Sequence, residues 1–367
     1  MGNNEKKRIL FVAPFPPPVH GSAVVSLHIR NSALINRTFD CDSVNLSASR
    51  SLDEVGKPGL IKIWRMISAL GSLIGKLLVR HYDICYLAVA SHGTPFLKDA
   101  PFVLLCKLFC RKIVIHQHNK GMAGDVNRWP FRWMLPLVYR NTKVIIVSWR
   151  LYQDIEKVVP RENVVICPNG IKVDSEASSY ERAGNEIPRL LFLGNLIESK
   201  GVLILLDALK MLQGKGIPFE CDIVGAESKD IDSARMAEEV ERRGLRGSVS
   251  WLGRKTGDEK EDIFRRSDIF VFPTYEDCFP LVLLEALAHR LPVVTTDEGG
   301  IPDIVQDGVN GLICERRDPE SLADCIDTLL ANPDLGRKMG EEGHRIFLEK
   351  FTEETFIQRI CDIFLNL

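Results

Sequence analysis

The feature that most constrains the fold is a series of ten short apolar segments, arranged in two sets of five and separated by helical stretches. The first set is 8–13, 83–89, 112–116, 143–148 and 163–167, and the second is 189–193, 219–224, 249–252, 268–272 and 292–296. These segments are apolar throughout, which is typical of strands buried on both faces of a parallel sheet. Helical segments between them complete βαβ units, so we expect an α/β fold with two doubly wound parallel sheets.

The two sets of strands are separated by a polar stretch, residues 172–188, which is rich in Ser, Glu and Gly and has no apolar period. We interpret it as a linker between an N-terminal domain, 1–171, and a C-terminal domain, 189–350. The last residues, 351–367, show the apolar spacing of a helix. Ligands of doubly wound sheets bind at the carboxyl ends of the strands, so two such domains predict a site in the cleft between them.

Composition agrees with two domains and predicts a cytoplasmic protein. The chain has 367 residues, of which 45% are hydrophobic, enough to form a sizeable core. Its ten cysteines include no C-x-x-C pair, which favours reduced core thiols over structural zinc. The start, M-G-N-N-E-K-K-R, leads directly into a strand and predicts no secretory signal, and no apolar run reaches the roughly 18 residues of a membrane span.

Charge is distributed unevenly along the chain. Residues 1–170 hold 23 Lys and Arg against 11 Asp and Glu, and the remainder holds 24 against 38. In 57–80 and 128–140 the cations are interleaved with Trp, Leu and Ile. This pattern favours a peripheral helix in the interface of an anionic membrane, while a core helix with a solvated rim is the alternative. Such patterns also occur in nucleic-acid-binding proteins, but the chain carries no nucleic-acid motif.

The stretch Y-E-D-C-F-P-L-V-L-L-E-A-L-A-H-R-L-P-V-V, residues 275–294, places acids around an apolar helix. Proline is favoured in the first helical turn, so the helix is predicted to start near Pro280. Its free backbone N–H groups form a binding site for phosphate or other polar oxygens. Glu285, about one and a half turns further on, can accept two hydrogen bonds from a vicinal diol such as a ribose, and Asp277 can meet another hydroxyl-rich group. The alternative is that Glu285 is a surface residue of an amphipathic helix.

Several spaced motifs resemble the donor-site pattern of the family-4 retaining glycosyltransferases, which have the GT-B fold. The pattern is an acid, seven residues, Glu285, then P-V-V and a Gly-Gly pair at Gly299 and Gly300. Upstream lie I-C-P-N-G-I, around Asn169 and Gly170, and L-F-L-G-N-L-I-E-S-K-G-V, which contains Gly194 and Lys200. D-I-V-G and W-L-G-R match the family's strand-end glycines. The resemblance covers nearly the whole C-terminal half and, more loosely, the N-terminal half.

The resemblance implies a role for each motif residue. Glu285 would bind the ribose of a nucleotide sugar, Asp277 the hydroxyls of the transferred sugar, and Lys200 the diphosphate, without a metal ion or other cofactor. The backbone of the donor loop would surround sugar and phosphate, at Gly194, Asn195, Phe279, Pro280, Leu281 and Val282. The last helix, 351–367, would pack on the N-terminal domain and complete it.

Two residues depart from the family pattern, and both put donor affinity in doubt. Asp277 stands where the family usually has Glu, one methylene longer. Asn195 stands where the family often has Arg, so a fixed positive fork is lost and Lys200 must carry more of the charge, with Arg254 or Lys255 as candidate helpers.

The N-terminal half contributes two weaker matches. Gly21 fits the family's glycine-rich loop, although His20 replaces its usual second glycine and a plain proline-rich turn is the alternative. His118 resembles the family's active-site histidine at a strand end. His116 and His118 together also fit a metal site, but no further Cys, His or acidic cluster supports one.

The sequence is therefore interpreted as a cytoplasmic glycosyltransferase, peripheral on the inner face of the plasma membrane, with catalytic candidates His118, Asp277 and Lys200. It would transfer a hexose from a UDP- or GDP-sugar to an acceptor, for example a lipid-linked intermediate in surface-polysaccharide or lipopolysaccharide assembly. The alternatives are a sugar-nucleotide epimerase or hydrolase on the same fold, or a non-catalytic binding protein with a degenerate donor site. No G-x-G-x-x-G follows a strand, which argues against a dinucleotide oxidoreductase.

Overall fold

The computed structural model describes residues 6–17, 21–47, 59–172 and 185–367. The chain divides into two compact units, the first comprising Met1–Gly170 with Glu353–Leu367 and the second comprising Ile171–Thr352. Most of the predicted linker, residues 173–184, lies outside the described residues.

Six parallel strands form the sheet of the first unit. They are β1 (Arg8–Ala13), β2 (Asp40–Asn45), β3 (Ile84–Leu87), β4 (Lys112–His116), β5 (Lys143–Ile146) and β6 (Val164–Ile166), in the order β2-β1-β3-β4-β5-β6. The helices between them are α1 (Gly21–Asn31), α2 (Ala33–Thr38), α3 (Leu60–Val79), α4 (Gly93–Phe109), α5 (Met122–Asp125), α6 (Phe131–Tyr139) and α7 (Tyr152–Ile155).

The second unit also has six parallel strands. They are β7 (Arg189–Leu193), β8 (Glu220–Val224), β9 (Val249–Trp251), β10 (Ile269–Phe272), β11 (Val293–Thr296) and β12 (Gly311–Cys314), in the order β12-β11-β10-β7-β8-β9. Its helices are α8 (Val202–Gly214), α9 (Ser233–Arg242), α10 (Asp258–Arg266), α11 (Leu281–Ala288), α12 (Pro319–Ala331) and α13 (Pro333–Lys350). The last helix, α14 (Glu353–Leu365), belongs to the first unit.

The sheet of the first unit is covered on both faces, which explains its apolar strands. On one face, alternate strand residues such as Leu10 and Leu87 join a core formed with α3, α4 and α6. On the other face, the rings of Phe11 and Tyr86 pack against Phe364 of α14, with centroids 6.2 and 5.8 Å apart. Burial on both faces favours the continuous apolar runs seen in the sequence.

The predicted fold class is confirmed, and all ten predicted strands are present with ends shifted by no more than two residues. Two strands, β2 and β12, were not predicted. Both lie at the edge of a sheet, and β2 has the sequence D-C-D-S-V-N with only Val44 buried. An edge strand has one neighbour and need not be apolar, so β2 carried no signal in the hydrophobic pattern, whereas β12, G-L-I-C, is apolar but short and was missed.

Candidate functional site

The strand order of the second unit places the predicted donor residues at one point of the sheet. β7 and β10 are neighbours although they are the first and fourth strands of that sheet, so the chain direction of the crossovers reverses between them. Ligands of open α/β sheets bind outside the carboxyl ends of strands at such a switch point. The segment after β7 contains Gly194 and Lys200, and the segment after β10 contains Asp277, so the fold brings these two stretches together.

Glycines allow the strand ends to approach one another closely. The backbone N–H of Gly194 donates to Val224 O at 2.9 Å, and that of Gly225 donates to Gly253 O at 2.9 Å. A Cβ atom on Gly225 would lie 1.8 Å from Gly194 O. Gly225 is therefore required by backbone packing, whereas Gly253 is favoured by its left-handed backbone, with φ +70°.

Gly201 joins the segments after β7 and β10. Its φ is +83°, a left-handed conformation that favours glycine, and a Cβ atom there would lie 2.1 Å from Pro273 O. The N–H of Tyr275 donates to Ser199 O at 2.9 Å across the same junction. These contacts fix the position of Lys200 relative to the acids that follow β10.

Lys200 and Asp277 form an ion pair. Lys200 Nζ donates to Asp277 Oδ2 at 2.7 Å and to the backbone oxygen of Glu276 at 3.0 Å. An ammonium has three N–H donors, so these two contacts leave one for another acceptor. The other carboxylate oxygen of Asp277 accepts the N–H of Cys278 at 2.9 Å. Asp277, although a methylene shorter than the family's usual Glu, therefore reaches the lysine directly.

The loop that carries Asp277 is held by two residues that sequence reasoning missed. The Asp277 N–H lies 3.4 Å from Glu298 Oε1, and Arg316 Nη1 pairs with Glu298 Oε2 at 2.6 Å. Gly299 follows in the left-handed region, with φ +55°, and a Cβ atom there would lie 2.4 Å from Asp277 O. The position of Glu298, directly before the Gly-Gly pair, was the available sequence signal.

Helix α11 begins as predicted, with Pro280 as its N-cap and Leu281 as its first residue. Leu281 and Val282 are half-buried, so the first turn of the helix is accessible. The ring of Phe279 is buried and packs against Phe351 with centroids 6.0 Å apart. Of these predicted donor residues, Phe279 therefore acts through its backbone while its side chain belongs to the core.

Glu285 is held by a lysine that the sequence did not reveal. Lys260 Nζ of α10 donates to Glu285 Oε1 at 2.9 Å. The second oxygen, Oε2, is buried and has no hydrogen-bond partner among the described residues. A buried carboxylate oxygen without a donor is costly, so this atom is suited to accept a ligand hydroxyl. A simple surface residue would be exposed and its carboxylate hydrogen-bonded to water. Glu285 is instead mostly buried, and one of its carboxylate oxygens has no hydrogen-bond partner among the described residues.

The next turn of α11 supports Glu285 through a histidine. His289 Nδ1 lies 2.8 Å from Glu285 O, its Nε2 lies 2.8 Å from Glu261 Oε2, and its ring stacks on Phe264 at a centroid distance of 4.6 Å. The hydrogen bond from His289 lowers the pKa of Glu261 below its usual value. These contacts join α10 to the end of α11 next to Glu285.

The remaining predicted residues lie apart from this cluster of contacts. Asn195 is exposed, and its backbone oxygen accepts Ile197 N–H at 2.7 Å. Of the two candidate helpers, Lys255 pairs with Glu259 at 3.0 Å and Arg254 is exposed. Gly21 is the exposed first residue of α1 in the first unit, and His20 lies outside the described residues.

His118 follows β4 in the first unit and stacks on a buried histidine. The rings of His116 and His118 have centroids 4.0 Å apart, and His116 Nδ1 lies 2.7 Å from the Tyr86 hydroxyl. Burial, and secondarily the neighbouring His118, lowers the pKa of His116 well below its usual value, so this ring is neutral at pH 7. The described part of the chain contains no cluster of three or more His, Cys, Asp or Glu side chains suited to a metal ion.

Comparison with known proteins gives this geometry a family context. Residues 176–345 match the family model described as Glycosyl transferases group 1. The chain is 31% identical over 180 residues to the uncharacterized glycosyltransferase MJ1178 of Methanocaldococcus jannaschii, an alignment that covers 48% of each chain. It is 25% identical over 380 residues to alpha-maltose-1-phosphate synthase of Mycobacterium tuberculosis, covering 95% of this chain and 96% of that one.

A further relative is the amylovoran biosynthesis glycosyltransferase AmsK of Erwinia amylovora, 26% identical over 295 residues that cover 74% of this chain and 69% of that protein. The crystal structure of Anabaena Alr3699/HepE in complex with UDP-glucose superposes with a TM-score of 0.73 and 17% identity, covering 98% of this chain and 100% of that one. That likeness shows the GT-B fold. The family model therefore matches one part of the chain, residues 176–345, and the chain is similar to several glycosyltransferases.

Proposed function

We propose that the chain is a retaining glycosyltransferase that moves a hexose from a nucleoside-diphosphate sugar to an acceptor hydroxyl without a metal ion. The observation that carries the proposal is the arrangement at the carboxyl ends of β7 and β10. There Lys200 pairs with Asp277, and Glu285 keeps one buried carboxylate oxygen without a partner among the described residues. A cation, a sugar-binding acid and a diol-binding acid are the groups that a sugar nucleotide requires.

Each group of the donor then has a partner of suitable chemistry. The free donor of the Lys200 ammonium binds a diphosphate oxygen and stabilises the negative charge of the leaving nucleotide. The half-buried N-terminal turn of α11 adds backbone N–H groups for the same phosphates. Glu285 Oε2 accepts a ribose hydroxyl, and Asp277 accepts hydroxyls of the transferred sugar. The positive charge of Lys200 takes the place that a divalent cation would otherwise have.

The proposed reaction exchanges one bond at the anomeric carbon for another. The bond from C1 to the β-phosphate oxygen breaks, and a bond from C1 to the acceptor oxygen forms on the same face of the sugar. The acceptor proton passes to the departing phosphate oxygen, and the nucleoside diphosphate leaves. No side chain of the described site is placed as an obvious covalent nucleophile, so front-face attack is the favoured route to retention. His118 is proposed as a catalytic residue on the strength of the family resemblance alone.

The choice of substrates is supported by similar proteins. HepE, whose structure resembles this chain, was crystallised with UDP-glucose, and AmsK is named for amylovoran biosynthesis. We therefore favour a UDP-sugar, with a GDP-sugar as the alternative, and a lipid-linked glycan in surface-polysaccharide assembly as the acceptor. An enzyme acting on such an acceptor would work at the cytoplasmic face of the membrane.

The donor site is tested by calorimetry and thermal shift with UDP, GDP, ADP and dTDP and their sugar conjugates, with EDTA present. One nucleotide should bind, and Glu285→Ala and Lys200→Ala should each weaken it by about ten- to a hundredfold, because each removes one or two polar contacts. Glu276→Ala is the matched control, since that exposed acid contributes only its backbone oxygen to Lys200. Nucleotide affinities unchanged in both variants would overturn the donor-site assignment.

The same protein separates transfer from the alternative activities. Incubation of the bound sugar nucleotide without acceptor should leave it intact over the time in which added acceptor is glycosylated. Rapid release of free sugar or of an epimer would instead identify a hydrolase or an epimerase. Absence of binding by any nucleotide would favour a degenerate donor site, with Asn195→Arg and Asp277→Glu as the first substitutions to restore it.

A further inference from the structure

Helix α3 has two apolar stripes on different sides, and only one of them is used by the core. The inner stripe packs against the core of the first unit and comprises Met66, Leu70, Leu73 and Leu77. The outer stripe follows the same helical spacing, but its side chains are exposed: Leu60, Trp64, Ile67, Ile74 and Leu78. Leu60 is 84% exposed and Trp64 68% exposed. An amphipathic helix of a soluble domain normally has a polar outer face, so the outer stripe calls for a partner.

Neighbouring helices carry further exposed apolar side chains. Helix α4 contacts both α3 and α6, so the three helices form one layer on the same side of the sheet. Large apolar side chains at the end of α4 and along the segment around α6 are exposed as well: Leu108, Trp129, Trp133 and Leu137. Trp129 is 81% exposed and Trp133 66% exposed. We call the outer stripe of α3 together with these four residues the apolar face.

The sequence segments of the apolar face are basic, although Lys76 and Arg80 are paired with Asp42 of β2. Residues 59–82 carry Lys62, Arg65, Lys76 and Arg80 without any Asp or Glu. Residues 126–153 carry five Lys or Arg and again no acid. One of these cations, the Arg132 guanidinium, lies 4.9 Å from the centre of the Trp133 ring. Cations beside tryptophans suit the boundary between acyl chains and headgroups, where the ring is half apolar and half hydrated.

We propose that the apolar face docks on the surface of an anionic phospholipid bilayer, with α3 lying in the plane of the interface. No helix among the described residues is long and apolar enough to cross a membrane, and α3 itself carries three cations. Its outer stripe would enter the headgroup and acyl boundary, while exposed arginines beside the tryptophans of the α6 segment, such as Arg132, contact anionic headgroups. The complementary charge, added to the exposed apolar area, favours a lipid surface over a second copy of this basic unit, which would repel it.

Docking on a membrane would bring the enzyme to the surface that holds a lipid-linked acceptor. This use of the docking rests on the proposed function. The docking itself does not depend on it. Binding is therefore measured without nucleotide or acceptor, so that failure to dock and failure to bind a donor are separate results.

The test is flotation of the full chain with vesicles of equal parts phosphatidylcholine and phosphatidylglycerol, compared with phosphatidylcholine alone. The wild type should float with the anionic vesicles, and binding should weaken as salt is raised. Trp64→Glu and Ile67→Glu should each weaken it about tenfold or more, since moving one large apolar side chain between water and an apolar phase changes partitioning by that order. Both positions are exposed, so the variants should melt like the wild type.

The matched control is Leu348→Glu, which changes a half-exposed leucine on a helix of the second unit and should leave flotation unchanged. Equal binding to uncharged vesicles would overturn the requirement for anionic lipid. Absence of binding to either vesicle would overturn the docking proposal. If, in that case, light scattering showed a wild-type dimer that Ile67→Glu converts to a monomer, the apolar face would be a contact between copies of the chain.

Discussion

Lys260 Nζ of α10 lies 2.9 Å from Glu285 Oε1 of α11, and Glu285 Oε2 is left buried without a hydrogen-bond partner among the described residues. The two side chains are 23% and 22% exposed, so the pair is only partly screened by water. Lys260 is therefore proposed as a positioning residue. It holds the carboxylate in one orientation and compensates its charge, and it need not touch the nucleotide.

The first prediction concerns Lys260→Gln. The variant should bind nucleotide about three- to tenfold more weakly than the wild type, because the Glu285 carboxylate is no longer fixed by a charged partner. The dissociation constant from calorimetry measures the effect. Lys210→Gln is the control, since Lys210 is an exposed lysine of α8. Tighter nucleotide binding by Lys260→Gln would mean that the lysine competes with the ligand for Glu285.

The second prediction separates Asp277 from Lys200. Asp277→Asn removes a negative charge 2.7 Å from the Lys200 ammonium, so diphosphate binding should stay equal or become tighter. Transfer should nevertheless fall by at least about tenfold, because the acid assigned to the sugar hydroxyls is lost. Steady-state kinetics should show a lower kcat without a higher KM for the donor. A parallel loss of UDP binding and turnover would place Asp277 on the nucleotide instead.

Much of the fold could be predicted because the central strands are buried on both faces and are apolar throughout. Polar side chains in strands such as β4 and β10 would be buried without hydrogen-bond partners. Their sequences are therefore apolar, and this apolar pattern identifies them as strands. The edge strand β2 is held by backbone pairing with β1 from Arg8↔Asp40 to Ala13↔Asn45, and its side chains are mostly half-exposed. Pairing of this kind depends on a distant strand, which no local pattern contains.

The site was predictable only where a residue belongs to a spaced motif. Glu285 and Lys200 stand at positions fixed by neighbouring glycines and prolines, whereas Lys260 lies in a polar helix whose charges look interchangeable in the sequence. Only the packing of α10 against α11 distinguishes Lys260 from Lys255. The strand order could not be predicted from individual residues either. The adjacency of β7 and β10 is a property of the whole sheet topology.

The third prediction tests the close packing of the strand ends. Gly225→Ala would place a Cβ atom 1.8 Å from Gly194 O, and backbone cannot move away as a flexible side chain would. We expect the free energy of unfolding to fall by about 3 kcal/mol or more, together with loss of nucleotide binding. Urea denaturation measures the change. Gly214→Ala is the control, because a Cβ atom there contacts nothing within 4 Å, and alanine should change stability by at most about 1 kcal/mol.

The fourth prediction is a pH dependence of stability from His116. Burial lowers the pKa of this ring well below its usual value, while in the unfolded chain it titrates near about 6.5. As pH falls below about 6.5 the unfolded state therefore binds a proton that the folded state does not, and stability is lost. The free energy of unfolding should decline by up to about 1.4 kcal/mol per pH unit from this one group.

Urea denaturation of the wild type and of His116→Gln at pH 7.5, 6.5 and 5.5 isolates that contribution. The variant is expected to be less stable at pH 7.5, because glutamine cannot reproduce the packing of the ring against Tyr86 and His118. Its stability should nevertheless fall less steeply toward pH 5.5, since it has lost a group that prefers to be protonated when unfolded. His81→Gln, which changes an exposed histidine, should keep the wild-type slope. Equal slopes in all three proteins would show that His116 takes up its proton as readily in the folded state as in the unfolded one.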